Sequence, residues 1–334
     1  MRKILVLGLA LASAFLGANA NAAEPVKIRV AWVAPVANWA SILLEKKDLM
    51  QHQGKSYVME PMRFQATPAM ITALAANELE VANLAFSSFA LAIENAGLTD
   101  LRIISDEFQD GVAGYYSNEF MVLKDGPIQK IEDLKGKIVA TNAAGSGADI
   151  AQRVLLRKHG LEEKRDYTVV EIALPNMKAA LIEKKIALGT ATLPFSYDPE
   201  YRNAARPLFA QKDAIGASQF VFWQARQGFI QKNRAAMVDF MEDVLRVVRF
   251  YLDPKNHKEA VAIAARVTKQ PPERFDAWLF TKKDFYRDPN MLPNLDALQA
   301  NLDAPRAIGF AKTKIDAKKY ADLSLIQEAA KRIK

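Results

Sequence analysis

Between Val26 and Ser105 the chain switches repeatedly between two hydrophobic periods, and that order limits the folds open to it. Val26–Val33 (VKIRVAWV) alternates apolar and polar residues and is rich in β-branched types, the pattern of a strand. Pro35 marks a loop, Asn38 reads as a helix N-cap, and an apolar helix follows through Leu44. Tyr57–Phe64 reads as a second strand. Thr67-Pro68 has the order of an N-cap followed by proline at the first helical position, opening a helix through Leu74 and Ala76. Glu80–Leu84 is a short third strand. Ser87 or Ser88 caps the next helix, which runs through Ile93 until Asn95-Ala96-Gly97 stops it, and Leu101–Ser105 is a fourth strand. The order βαβαβαβ predicts an α/β chain with a mostly parallel sheet and helical crossovers.

The pattern then restarts. Tyr115–Leu123 reads as a strand, followed by the turn Asp125-Gly126-Pro127 and a helical turn at Ile131–Gly136. Lys137–Ala140 is a strand. Ala144-Gly145-Ser146-Gly147-Ala148 is a small-residue loop leading into a helix that reaches Lys158 and stops at Gly160. Strands at Tyr167–Ile172 and Ala187–Leu193 flank a helix capped by Asn176, so a second α/β unit occupies about 124–215. Phe220–Ala225 is one further strand. From Gln231 on the chain is helical. Asn233 caps a long helix with Met237, Met241, Val244, Val248 and Tyr251 on one face, and more helices follow near 255–268, 272–280, 294–302 and 316–332. With 334 residues, half of them hydrophobic by type, the chain can fill two cores.

Several chemistries are excluded by composition. There is no cysteine, which removes disulfides, Cys-based zinc and iron–sulfur sites, and thiol nucleophiles. The three histidines, His52, His159 and His257, have no second ligand at i+2, i+3 or i+4 of the kind that nucleates a metal site, so no metal is expected. No G-x-S-x-G, P-loop or H-E-x-x-H motif occurs. Gly145-Ser146-Gly147 is a fragment of G-x-G-x-x-G, but position 150 is Ile, so no dinucleotide or other cofactor is expected. Missing linear motifs argue only weakly against an enzyme, because catalytic sets assemble from distant positions.

The N-terminus reads as a secretory leader. Arg2 and Lys3 precede an apolar run, Ile4–Leu16, that is too short to span a bilayer comfortably. Ala20-Asn21-Ala22 then places small residues at the −3 and −1 positions of a cleavage site before Ala23. Residues 1–22 are therefore expected to be a signal peptide and the mature chain to be exported. Loss of Arg2 and Lys3 lowers the formal net charge from +7 by two. Basic runs such as Glu45-Lys46-Lys47 and Glu183-Lys184-Lys185 are broken by acids, so no nucleic-acid partner is expected. A mild positive balance is compatible with an anionic ligand.

One loop type recurs where strands hand over to helices: Ala34–Asn38, Gln65-Ala66-Thr67-Pro68, Phe86-Ser87-Ser88, Ala144–Gly147 and Pro175-Asn176. Helix N-termini carry unpaired N–H groups and the positive end of the dipole, and in open α/β sheets they gather at the carboxyl ends of the strands, where ligands bind. Every helix needs a cap, so a single such loop says little. The set, spread over two units, predicts a binding cleft.

The order of motifs resembles the periplasmic solute-binding proteins of ABC importers in the nitrate/sulfonate/taurine (NMT1-like) family. The matching pieces are the leader, Ile28–Trp32 (IRVAW), Ala73–Ala82 (ALAANELEVA), Gly97–Ile104 (GLTDLRII), Ile131–Ala140 (IEDLKGKIVA) and Ala179–Ala187 (AALIEKKIA). Gln65-Ala66-Thr67 stands where the family often has a Gly-Gly pair, and Asn77 where Gly is usual, so ligand identity does not carry over. The part from 231 to 334 matches loosely. The resemblance implies a two-lobed periplasmic-binding-protein fold of type II with two crossover hinge strands and extra C-terminal helices. Lobe 1 is then 23–120 plus 218–334 and lobe 2 is 121–217. The crossings fall near 118–124 and 214–219, with Gly126 and Gly216 near them. The implied function is a soluble periplasmic monomer, not an enzyme, that binds a small organic anion between its lobes and delivers it to the transmembrane permease subunits and their ATPase. The alternatives are an exported receptor or sensor without transport, and a fold-related enzyme of pyrimidine or menaquinone biosynthesis.

The expected ligand is a sulfonate or carboxylate with an apolar or aromatic body. Its anionic end is expected at Asn38, Thr67, Ser87, Ser88 and Ser146, with Gly145 and Gly147 admitting backbone N–H groups. Asp149, three residues after Ser146, fits a capping box. Gln65 and Asn176 lie on the same loops. Trp39, Phe64, Phe86, Phe89, Phe108, Phe195 and Trp223 are candidate partners of the body, and Arg63 or Arg226 a candidate counter-charge.

Overall fold

The computed structural model describes residues 24–333. The expected leader lies outside them. Ten strands form two five-stranded sheets. The first uses β1 (Val26–Trp32), β2 (Tyr57–Arg63), β3 (Val81–Ala85), β4 (Leu101–Asp110) and the last strand, β10 (Ser218–Arg226), in the order β2-β1-β3-β10-β4. The second uses β5 (Glu119–Leu123), β6 (Ile138–Thr141), β7 (Thr168–Glu171), β8 (Leu188–Ala191) and β9 (Ala205–Ala210), in the order β7-β6-β8-β5-β9. In each sheet three strands run parallel, β2-β1-β3 and β7-β6-β8, and the remaining pairings, through β10 and β5, are antiparallel. The parallel β1–β2 pair runs in unbroken register from Val26–Tyr57 to Trp32–Arg63.

Crossover helices α1 (Ala69–Ala75), α2 (Phe86–Glu94), α3 (Gly147–Lys158) and α4 (Leu174–Ile182) begin just beyond the carboxyl ends of β2, β3, β6 and β7. The long helix Arg234–Leu252 buries Met237, Met241, Val244, Val248 and Tyr251 against the first sheet's core, the face its periodicity predicts. Among the described residues no helix is long and apolar enough to cross a membrane.

Three boundaries differ from the sequence expectation for physical reasons. Strand β4 continues to Asp110, because its later carboxylates are buried and hydrogen-bonded within the fold. The segment 111–118 is extended only in part, so the expected Tyr115–Leu123 strand shortens to β5. Strand β9 escapes pattern reading because Arg206 and Pro207 break its alternation. Proline is tolerated there because β9 is an edge strand.

The chain passes between the sheets twice, at 111–118 and 211–217. Gly216 lies in the second passage with φ +72°. Gly126 lies in neither and closes a turn on the Leu123 carbonyl. The first passage has its own glycine, Gly111 (φ +70°), where a Cβ would stand 2.6 Å from Lys212 Cβ. The two passages are stitched side by side. The Gln211 N–H donates to the Asn118 carbonyl (2.7 Å) and the Lys212 N–H to the Ser117 hydroxyl (3.1 Å), while Asp110 braces the first passage by accepting from the Ser117 hydroxyl (2.5 Å) and the Asn118 N–H (2.7 Å).

Candidate functional site

The carboxyl ends of the parallel strands of both sheets converge on one cavity. Val33 and Ala34 follow β1, Thr67 follows β2, and Asn83 and Ala85 belong to β3. From the second sheet come Asn142, Ser146, Gly147 and Ala148 after β6, Leu174 after β7, and Thr190 and Thr192 at the end of β8. This is the position at which α/β sheets bind ligands. The inner cavity holds about 70 Å³, room for a small headgroup. None of its lining residues carries a titratable side chain; Asn, Thr, Ser and apolar residues make up the wall.

Several of these polar groups are buried without a partner. Asn83 is 1% exposed and lies against Glu107, yet neither its side-chain nitrogen nor its oxygen makes a hydrogen bond of acceptable geometry. The Thr190 hydroxyl and the Asn118 Oδ1 are also unpartnered. A buried polar group without a partner costs on the order of 1–3 kcal/mol, so such a cluster in one cavity marks a place where a ligand restores the missing bonds. The first turn of α3 adds the backbone N–H groups of Gly147 and Ala148, which have no intrahelical partner by position, and the positive end of a 12-residue helix.

An outer chamber of about 390 Å³ adjoins the inner one and shares Leu174 and Thr190 with it. Its walls are of a different kind. Trp32, Met177, Phe195, Tyr201 and Phe275 supply apolar surface, and Arg63, Lys178 and Arg274 supply cations against the single carboxylate Asp198. Asp198 takes two of those cations, Arg274 Nη2 at 2.8 Å and Lys178 Nζ at 3.2 Å. Arg63 lies over the Trp32 ring at 5.3 Å and, among the described residues, makes no ion pair. Arg226, the other candidate counter-charge, sits at the opposite end of β10 and is paired with Asp100 at 3.0 Å.

The expected site residues divide into three groups. Asn38, Thr67, Ser146 and Gly147 line the inner cavity, and Phe195 lines the outer chamber. Ser87, Ser88 and Gly145 lie beside the cleft as contacts between the two units. Both serine hydroxyls donate to the Gly145 carbonyl, at 2.8 and 3.2 Å, and Ser88 Oγ is 2.8 Å from Thr67 Oγ1. Gly145 has φ +78°, and a Cβ there would meet Leu91 Cδ1 at 2.8 Å. Its N–H is held by Asp149 Oδ2 and is not turned to a ligand.

Trp39, Phe86, Gln65 and Asn176 are the corrections. Trp39 is fully buried, with its N–H on Glu107 Oε1 (2.6 Å) and its ring stacked on Phe280. Phe86 is fully buried in the first core. Gln65 is exposed and borders neither chamber. Asn176 is exposed inside α4, whose N-cap is Ala173. Other caps differ as well. Asn38 keeps its N-cap position before the short 3-10 helix Trp39–Ser41 but turns its Oδ1 back onto the N–H groups of Val33 and Ala34, and α2 begins at Phe86, so Ser87 and Ser88 lie inside its first turn. Helix α1 starts at Ala69, after the Thr67-Pro68 turn. Ser146 does cap α3, accepting from the Asp149 N–H at 3.2 Å, while Asp149 bonds Gly145 one residue outside the usual box.

Asn83, Asn118, Asn142, Thr190 and Thr192 were not singled out from the sequence. The signal for Asn83 was present: an amide in the middle of an otherwise apolar, fully buried strand, VANLA, demands a partner. Beneath the inner cavity, burial pushes the Glu107 carboxyl up to about 7, against hydrogen bonds from the Trp39 N–H and Trp223 Nε1. Burial also raises Asp106 and Asp110 to about 7.

The NMT1-like family model matches residues 21–265. The chain belongs to the NMT1-like family. Solved structures agree on the fold of this NMT1-like protein. The alkanesulfonate-binding protein SsuA of Xanthomonas axonopodis pv. citri, bound to MOPS, superposes with a TM-score of 0.70 at 17% identity, covering 90% of this chain and 99% of that one. The periplasmic nitrate-binding protein NrtA of Synechocystis PCC 6803 gives 0.71 at 14% identity, covering 93% and 90%. The desulfurization enzyme DSZB gives 0.66 at 13% identity, covering 92% and 100%. The fold is therefore the mixed α/β architecture of periplasmic binding proteins. No curated protein sequence matches the chain.

Proposed function

We infer that this NMT1-like protein is the solute-binding component of an ABC importer and that it captures a small organic anion between two lobes. Residues 24–110 with 218–333 then make up one lobe and 119–210 the other, with the paired passages at 111–118 and 211–217 as the hinge. The observation that carries the reading is the inner cavity, lined from the first sheet by unpartnered Asn83 and from the second by unpartnered Thr190 and the free N–H groups of the α3 N-terminus. Neutral donors and a helix dipole suit an anion that must be released again. The apolar outer walls suit an organic body attached to it. SsuA and NrtA, binding proteins of the same fold, support transport as the role. The protein is then periplasmic, reaches that compartment through its leader, acts as a monomer, and docks on the permease in its closed liganded form.

DSZB makes an enzyme the competing reading. The absence of any titratable side chain lining the inner cavity, among the described residues, favours binding over acid–base chemistry. A thermal-shift screen of refolded mature protein tests the reading. Refolding strips carried-over ligand. Sulfonates or carboxylates are expected to raise Tm and to be recovered unchanged by mass spectrometry. A response confined to sugars, cations or metals, or conversion of the bound anion, contradicts it.

A further inference from the structure

The two chambers differ in a way that specifies more than one anionic group. The inner cavity offers neutral hydrogen-bonding groups and no charge. The outer chamber carries three cations against one carboxylate, and Asp198 already engages two of the three. Arg63 is left over. It is exposed, its guanidinium is held over Trp32, and no acidic side chain among the described residues meets it. A flexible arginine on a strand end is ordinarily solvated, but here the aromatic ring holds it at the chamber wall.

The chain itself measures how close the chambers are. Trp32 and Pro35 line the outer one, while Val33 and Ala34, between them, line the inner one. Consecutive Cα atoms stand about 3.8 Å apart, so the two compartments are separated by only a residue or two of backbone. Arg63 is the register partner of Trp32 on the neighbouring strand. Thr190 borders both chambers and has an unpartnered hydroxyl. The geometry points to a ligand with two anionic ends. We propose that this protein takes an elongated organic dianion, a sulfocarboxylate or dicarboxylate with a short apolar or aromatic spacer. One end sits among Asn83, Thr190 and the α3 N-terminus, the spacer lies against Leu174 and Phe195, and the far end pairs with Arg63.

This proposal rests on the anion-binding reading above, and the test separates the two. Calorimetric titration of the refolded mature protein compares matched probes: benzenesulfonate with 4-sulfobenzoate, and 1-propanesulfonate with 3-sulfopropanoate. In the wild type each dianion is expected to bind at least tenfold more tightly than its monoanion. In Arg63→Gln the gap closes to within about threefold, and monoanion affinity changes less than threefold. Monoanions that bind as tightly as the dianions, or a gap that survives Arg63→Gln, overturn the two-ended ligand while leaving anion binding standing. Failure of all four probes to bind overturns both readings. Arg63 is an exposed strand-end residue, so circular dichroism of the variant checks that the fold is unchanged.

Discussion

The inner cavity and the outer chamber are neighbours that solve opposite electrostatic problems. The inner wall is mostly buried and uncharged, and polar atoms of Asn83, Asn118 and Thr190 on it lack partners. The outer wall is partly open to solvent, charged, and largely paired with itself. Burying a charge without a partner costs several kcal/mol, so an anion deep in the fold is best met by dipoles that cost less to bury than an arginine would. Near solvent the cost falls, and a cation can be kept there in reserve. The difference teaches that depth should be read from the inner groups and length discrimination from the outer ones.

The largest expected effect breaks the inner side. Asn83→Leu with Thr190→Val removes two buried hydrogen-bonding groups, each worth about 1.5–3 kcal/mol to an anion, so affinity should fall by about a hundredfold or more for every anionic ligand. The unliganded protein should melt at an unchanged or higher temperature, because both groups are unpartnered in the fold. A large loss of stability would mean that the two side chains serve packing alone.

Closure of the cleft gives the next effect. A Cβ on Gly147 would stand 2.3 Å from Phe220 Cε2 and 3.2 Å from Ala85 Cβ, across the contact between the two sheets. Gly147→Ala should weaken binding about tenfold and leave the liganded protein more expanded in small-angle scattering. An unchanged affinity would show that the cleft closes without this contact.

Salt sharpens the comparison further. Raising ionic strength from about 0.01 M to 1 M shortens the Debye length from about 30 Å to 3 Å. The exposed Arg63 contribution should therefore shrink severalfold in calorimetry while monoanion affinity moves less. Equal sensitivity of mono- and dianions would erase the distinction between the chambers.

The smallest effect is on stability against pH. Burial raises Glu107, Asp106 and Asp110 from the ordinary carboxylate range to about 7. Between about pH 5 and 7 the folded state holds more protons on these groups than the unfolded state, so unfolding free energy should fall as pH rises through that window. Glu107→Gln should flatten the slope in urea titrations. A slope of the opposite sign would mean that the hydrogen bonds from Trp39 and Trp223 outweigh burial.

Much of this was legible in the sequence. Apart from β9, the order of strands follows from the hydrophobic period, and the small-residue loop 144–148 does enter α3 through a Ser146 cap. Local grammar stops at contacts between distant segments. Trp39 and Phe86 looked like ligand-facing aromatics because they lie next to the right loops, but packing turned both inward. Asn176 and Gln65 had the right residue type on the right loops and point to solvent. Thr190 and Asn118 gave no local signal, since their significance comes from the other sheet meeting them across the cavity. The outer wall formed by Val267, Thr268, Gln270, Arg274 and Phe275 comes from the C-terminal helical part, whose apolar periodicity marks core faces but not which residues border a cleft.

The most direct test of the central claim is a crystal structure of the refolded mature protein with the anion that raises its Tm most. The account predicts an anionic group at hydrogen-bond distance, about 3 Å, from Asn83, Thr190 and the N–H groups of Gly147 and Ala148. An anion bound elsewhere, with only water between Asn83 and the α3 N-terminus, would contradict it.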